Sequence, residues 1–255
     1  MLGEIIPFIY VIIFLYGLCI GSFLNVCIYR IPLKESVAKS RSHCMSCGNQ
    51  LKWYDLVPLF SYLFLRGKCR KCKAKISVQY PIVETLNGLG YVFIFWVNDI
   101  NLTSILYSLC FSALIVLTVI DWRTFEIPFG INIFIFTLGV IETIADYHHI
   151  VNHLLGFISV SGFLYILVLA TKGRAMGGGD VKLMAAAGLL MGVGNIILSL
   201  ILGCIFGSVI HIARMRIQKK DHRLAFGPYL SAGIFIAMLF GNDLIQWYFS
   251  LFHLN

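Results

Sequence analysis

Two aspartates stand where an aspartate is costly. Asp121 closes one long apolar run, LIVLTVIDWRTFEIP, and Asp180 opens another, AMGGGDVKLMAAAG. Charges set into membrane-length apolar runs tend to mark function. Two carboxylates brought together cannot both ionise cheaply, so they share a proton. The ionised member can activate water while the protonated one donates to a peptide carbonyl. Such a pair hydrolyses an amide without a metal or a covalent nucleophile. Gly177, Gly178 and Gly179 precede Asp180; without side chains they let an extended substrate backbone come close. The plainer alternative is a pair of helix-end charges, Asp121 with Arg123 and Asp180 with Lys182. The two aspartates together, with three glycines beside one of them, favour chemistry.

A second group of reactive side chains lies near the N-terminus. Cys44 and Cys47 form one Cys-x-x-Cys pair, Cys69 and Cys72 another, with 21 residues between the pairs. Each pair can make a tight knuckle, and four thiolates can close a tetrahedron around structural zinc. The surrounding Lys and Arg favour thiolate. A complete four-sulfur shell leaves no open position, so this metal has no catalytic role. Free thiols are the alternative. Cys19, Cys27, Cys110 and Cys204 lie in apolar runs, where cysteine behaves as a small hydrophobe.

These residues need elements to position them, and the composition says which. The chain has 255 residues, 59% hydrophobic and 13% charged, with a mean hydropathy of +0.85. A soluble domain carries far more charge. A bilayer-crossing helix needs about 20 mostly apolar residues. Eight spans are expected, at 4–28, 80–97, 102–121, 128–146, 152–171, 181–194, 196–213 and 225–250. The sixth is short and rich in Ala and Gly, so a re-entrant pair with the seventh is an alternative there. The expected fold is therefore an all-α polytopic membrane protein of about eight transmembrane helices with a small cytoplasmic zinc insert. Its parts are a first transmembrane helix at 1–28, the four-cysteine insert at 29–79 and a helical membrane body at 80–255. The first apolar run lacks the pattern of a cleaved leader.

Charge distribution supports that span count. Every Lys and Arg falls in 29–79, at Arg123, around Lys172–Lys182 or in 214–223. With eight spans all of these segments share one side, which the positive-inside rule makes cytoplasmic. Both termini and the turns near Asp99, Asp146 and Gly194 then face outward, and Asp121 and Asp180 share one depth at the cytoplasmic face. A net charge of +8 thus reads as membrane topology, and no nucleic-acid partner is expected.

Several polar residues remain. Glu84, in YPIVETLNG, sits about one turn inside the second span, as a buried polar partner or as part of a second site. Glu126 is expected to be a loop charge. His148, His149 and His153 cluster outside; the spacing of four between His149 and His153 could bind metal on a helix, but a wet loop is the expectation. The stretch LKWYDLVPLFSYLFLRG between the knuckles is aromatic with basic ends. It lies along the membrane interface or packs as the core of the zinc module.

The order GSFLNVCIYRIP, HCMSC, LKWYDLVPLFSYLFLRGKCRKC, YPIVE, a helix-end Asp, MGGGDVKL and FGPYLSAG resembles the bacterial type IV prepilin peptidases, which are GxGD aspartic proteases of the membrane. The resemblance runs from Gly21 to about Gly233. It implies that Asp121 and Asp180 are the catalytic pair and that the substrate is a prepilin or pseudopilin with a short basic leader. The cut would fall at the cytoplasmic face of the bacterial plasma membrane. It further implies a second activity, methylation of the new N-terminus from S-adenosylmethionine, associated with the N-terminal cytoplasmic portion. Glu84 and Lys182 are candidate auxiliary residues. One departure is Phe129, after Ile127-Pro128, where many members carry an acidic or polar residue.

Overall fold

The computed structural model describes residues 2–39, 42–173, 176–217 and 225–251. Arg41, Arg174, Lys219, Lys220 and Arg223, which entered the charge argument, lie outside the described residues. The described chain is helical with no strand, as a lipid-spanning chain must be if its backbone groups are to pair within themselves.

Two compact units divide the chain at Ser104 and Ile105. The first holds α1 (Leu2–Arg30), the cysteine insert with its short α2 (Phe60–Phe64), and α3 (Gln79–Asn98). The second holds nearly all of α4 (Leu102–Thr124), then α5 (Phe129–Ala145), α6 (Ile150–Ala170), α7 (Gly178–Met191), α8 (Val193–Ile217) and α9 (Gly227–Leu251). The long helices fall at the eight positions expected of spans. Four of them, α1, α4, α8 and α9, are long and apolar enough to cross a membrane. So is the segment Tyr147–Ala170 that contains α6, and α5 is a shorter apolar helix.

Among the described residues α3 is in neither group, and the sixth expected span is the shortest. At 14 residues, α7 rises about 21 Å, short of a hydrocarbon core of about 30 Å. It passes into α8 through Gly192 alone, whose φ of +79° is open to glycine and costly for most other residues. Leu183, Met184, Ala187 and Leu190 on α7 are almost wholly buried, and α5, α6, α8 and α9 all pack against it. A helix apolar on every side belongs in such a place.

Lipid supplies no hydrophobic drive between helices, so close backbone approach and van der Waals packing hold them together. At the α6–α7 crossing, a Cβ on Gly188 would lie 2.2 Å from the Gly156 carbonyl oxygen, and one on Gly156 2.3 Å from that of Gly188. In the first unit, a Cβ on Gly17 would lie 2.8 Å from Gly88 Cα, and Asn87 Nδ2 donates to the Gly17 carbonyl at 2.8 Å. Large side chains such as Ile144, Val151 and Ile166 are exposed. That would be costly in water and is neutral against lipid tails.

The outer connection between α5 and α6 is tied by Asp146. Its carboxylate receives His149 Nδ1 at 2.8 Å and His153 Nε2 at 3.4 Å, and the His149 bond holds it below the usual carboxylate range. His149 is wet, as expected of that turn; His153 is buried against the Leu189 carbonyl.

Replacing Gly188 by Val should force α6 and α7 apart. Overpacking costs about 1–3 kcal/mol or more, so the thermal midpoint of the detergent-purified protein should fall by several degrees. An unchanged midpoint would mean that the crossing is not tight.

Candidate active site and cysteine cluster

Asp121 lies in the last turn of α4 with only 5% of its surface exposed. Its Oδ2 accepts the backbone N–H of Gly227 at 2.9 Å. Gly227 opens α9, and Pro228 follows with no N–H to lose, as suits a first helical turn. The positive end of the α9 dipole thus points at a carboxylate. A Cβ at 227 would lie 2.6 Å from Asp121 Oδ2 and 3.0 Å from Leu117 Cδ2, so a larger residue there would displace the carboxylate.

Asp180 lies in the first turn of α7, 8% exposed, with its N–H turned to the Gly177 carbonyl at 3.2 Å. Asp121 is near enough for its charge to act on Asp180. The fold therefore brings together two buried carboxylates 59 positions apart. Lys182 takes a different place: its Nζ stands 4.8 Å over the ring of Phe129, a cation–π contact.

The three glycines have unlike surroundings. Gly177 is the N-cap, and Gly178 and Gly179 form the first turn of α7. A Cβ on Gly179 would lie 2.9 Å from Ile127 Cβ, so this glycine lets α7 seat on the Ile127-Pro128 turn. A Cβ on Gly178 would meet nothing within 4 Å, so space is left beside Asp180. The turn after α4 is shaped by Phe125, in left-handed conformation at φ +55°, whose N–H donates to the Asp121 carbonyl at 2.9 Å.

Two contributors escaped the sequence analysis. Gly227 had a signal in the Gly-Pro step of FGPY, but its partner was not evident. Asn132 on α5 is buried and donates to the Gly179 carbonyl at 3.4 Å, while its Oδ1 has no partner. An amide in an apolar helix was its signal.

The cysteine insert repeats one device. In each knuckle the residue four past the first cysteine is left-handed, Gly48 at φ +65° and Lys73 at φ +60°. Its N–H returns to that cysteine's carbonyl, at 2.8 Å to Cys44 and 3.0 Å to Cys69. The cysteine N–H then donates to the fifth residue, Asn49 at 2.9 Å or Ala74 at 2.8 Å. The four sulfurs of Cys44, Cys47, Cys69 and Cys72 lie within 4.8 Å of one another and could hold a metal ion. Four sulfurs at about 2.3 Å from a tetrahedral ion stand about 3.8 Å apart, and Cys44 Sγ and Cys72 Sγ are 3.8 Å apart. The Ser46 and Cys47 N–H groups donate to the Cys44 sulfur and pull its thiol down to about 6. The Ala74 N–H donates to Cys72, yet burial and the other sulfurs outweigh it and push that thiol to about 11. Four such sulfurs ionise together only around a cation.

Glu84 is buried on α3, and its Oε2 accepts the Leu59 N–H at 2.7 Å. The stretch before it does not form the core of the insert: Trp53 is 79% exposed and Phe64 85%.

Residues 15–98 match the bacterial peptidase A24 N-terminal domain, and residues 108–212 match the type IV leader peptidase family. The chain is 31% identical to the prepilin leader peptidase/N-methyltransferase of Aeromonas salmonicida (strain A449), over 98% of this chain and 97% of that protein. It is 32% identical to the protein of the same name from Bacillus subtilis (strain 168), over 94% and 98%. This chain belongs to the type IV leader peptidase family. The likeness to the Vibrio cholerae protein of that name is 36%, over 73% of this chain and 79% of the other. No solved structure matches the chain. The family and the apolar helices together make it a multi-pass bacterial membrane protein, of the class that processes prepilins.

Gly227→Ala should press the new methyl on the Asp121 carboxylate. A displacement of about 1 Å at a reacting group costs about 10²-fold, so prepilin cleavage should fall by about that factor with the protein still inserted. Cleavage within a factor of two of wild type would show that the contact does not position Asp121.

Proposed function

We propose that Asp121 and Asp180 are the catalytic pair that removes the leader of a type IV prepilin or pseudopilin. Water lies between the two carboxylates; the ionised one takes its proton as the oxygen attacks the scissile carbonyl. The protonated one donates to the developing oxyanion, and the proton gained by its partner passes to the leaving amine. The Gly227 N–H fixes one carboxylate in the geometry that water must meet, and the open face at Gly178 admits the substrate backbone. The observation that carries this reading is two buried carboxylates, from helices distant in sequence, within each other's field.

The basic segments 29–79, Arg123, Lys172–Lys182 and 214–223 set those helix ends at the cytoplasmic face of the bacterial inner membrane, with both termini outside. In this reading 1–28 anchors the chain, 29–79 is the cysteine insert, and 80–255 is the membrane-embedded body that carries the pair. The exposed Trp53, Phe60, Leu63 and Phe64 suit the headgroup layer. The ion at Cys44, Cys47, Cys69 and Cys72 is zinc, since a closed four-thiolate tetrahedron in a reducing compartment selects it. Methylation of the freed amine by S-adenosylmethionine is the second activity, in keeping with the name the relatives carry.

Purified protein incubated with a prepilin and S-adenosylmethionine, followed by mass spectrometry, reports cut position and methylation together. Asp121→Asn and Asp180→Asn should each lower cleavage at least about 10³-fold while the variants insert normally; cleavage at the wild-type rate by either would end the dyad assignment. Wild-type protein should carry one zinc per chain, and Cys44→Ser with Cys72→Ser should lose it. Full zinc content in that double variant would show that the ion, if bound, sits elsewhere.

A further inference from the structure

Asn132 interrupts the apolar run FGINIFIF at the start of α5. It is only 4% exposed, and neither lipid nor an apolar core offers its amide a hydrogen bond. One end of that amide is used: Nδ2 donates to the Gly179 carbonyl on α7 at 3.4 Å. The other is not, since Oδ1 is buried and has no partner. A turned amide would set Oδ1 against the same carbonyl, acceptor against acceptor, so the contact decides which end stays empty. A half-satisfied buried amide destabilises a fold, whereas an apolar side chain of the same shape does not.

Packing α5 on α7 does not require such a residue. Near the other end of α5, the Thr143 hydroxyl donates to the Gly139 carbonyl of its own helix at 2.7 Å and reaches the Leu189 carbonyl of α7 at 3.4 Å. That contact joins the same two helices with its hydroxyl bonded. Nor does the Gly179 carbonyl need the Asn132 donor, because within α7 the N–H four residues on serves it as well. What the amide adds is a grip on one peptide plane. The peptide between Gly179 and Asp180 has its N–H turned to the Gly177 carbonyl at 3.2 Å and its carbonyl held by Asn132. A peptide unit is planar, so holding both of its polar groups fixes the direction in which the Asp180 side chain leaves the backbone.

We propose that Asn132 is a positioning residue for cleavage: it orients the Asp180 carboxylate through the Gly179–Asp180 peptide, and the fold retains it against its own stability. The proposal rests on the catalytic reading of Asp180 given above. Asn132 touches no reacting atom; it acts through the backbone of its neighbour on α7. Departures from local stability rules of this kind gather at functional sites.

The test is steady-state cleavage of a purified prepilin by full-length variants in nanodiscs, with thermal midpoints measured on the same samples. Asn132→Leu keeps the branching of the side chain and removes the amide. Its kcat should fall at least about tenfold, with KM within about twofold of wild type and a thermal midpoint equal to or above it. Asn132→Asp should cleave near the wild-type rate at low pH, where its carboxyl carries the proton that replaces the amide donor, and should lose rate relative to wild type as pH rises. Wild-type kcat in Asn132→Leu, or a loss of kcat matched by a lowered midpoint, would overturn the assignment and make Asn132 a packing residue. Asp180→Asn separates the two readings. If it is inactive, such a result counts against Asn132 alone; if it cleaves at the wild-type rate, the catalytic pair fails and this proposal with it. Should Asn132→Leu not fold, Asn132→Asp decides, and a ratio to wild type that stays constant with pH would overturn the proposal.

Discussion

The hydrogen bond from the Gly227 N–H to the Asp121 carboxylate is the contact on which the second unit turns. It joins the end of α4 to the start of α9 across 106 positions of chain. A carboxylate buried in an apolar bundle needs donors, and a helix N-terminus offers them without adding a charge. Glycine at 227 is what permits the approach, since even one methyl group would occupy the carboxylate's place. The same economy recurs at Gly179, where the absence of a side chain seats α7 on Ile127 and carries Asp180 with it.

Packing in the rest of that unit serves this pair. Gly156 against Gly188 brings α6 and α7 to backbone contact, and Asn132 ties α5 to the first turn of α7. Phe111 stacks on Phe235 at 4.3 Å between α4 and α9. The short α7 is thus held on several sides, and the aspartate at its start inherits that rigidity. A site built on packed helix ends is more exact than one carried on a loop.

Much of this was legible in the sequence because the signals were long or chemically specific. Apolar runs of span length located the eight long helices, and the two Cys-x-x-Cys pairs announced the knuckles. Asp121 and Asp180 were conspicuous as charges among Leu, Ile and Ala. Gly227 and Asn132 were not, because their importance lies in what they touch, and a contact across 106 or 47 positions leaves no local pattern. The glycines before Asp180 were expected to act together; only the fold distinguishes Gly179, packed on Ile127, from the open Gly178. The aromatic stretch around Trp53 was ambiguous for a like reason: composition does not say which side of a small module faces outward.

The paired knuckles have one more implication. Neither half of the insert can complete a four-sulfur shell by itself, so an ion held there stitches residues 44–47 to 69–72 as a covalent bridge would. Unlike a disulfide, such a stitch is indifferent to thiol reductants and comes undone by chelation. The insert would then keep its shape according to the metal supply of the cell, whatever its redox state.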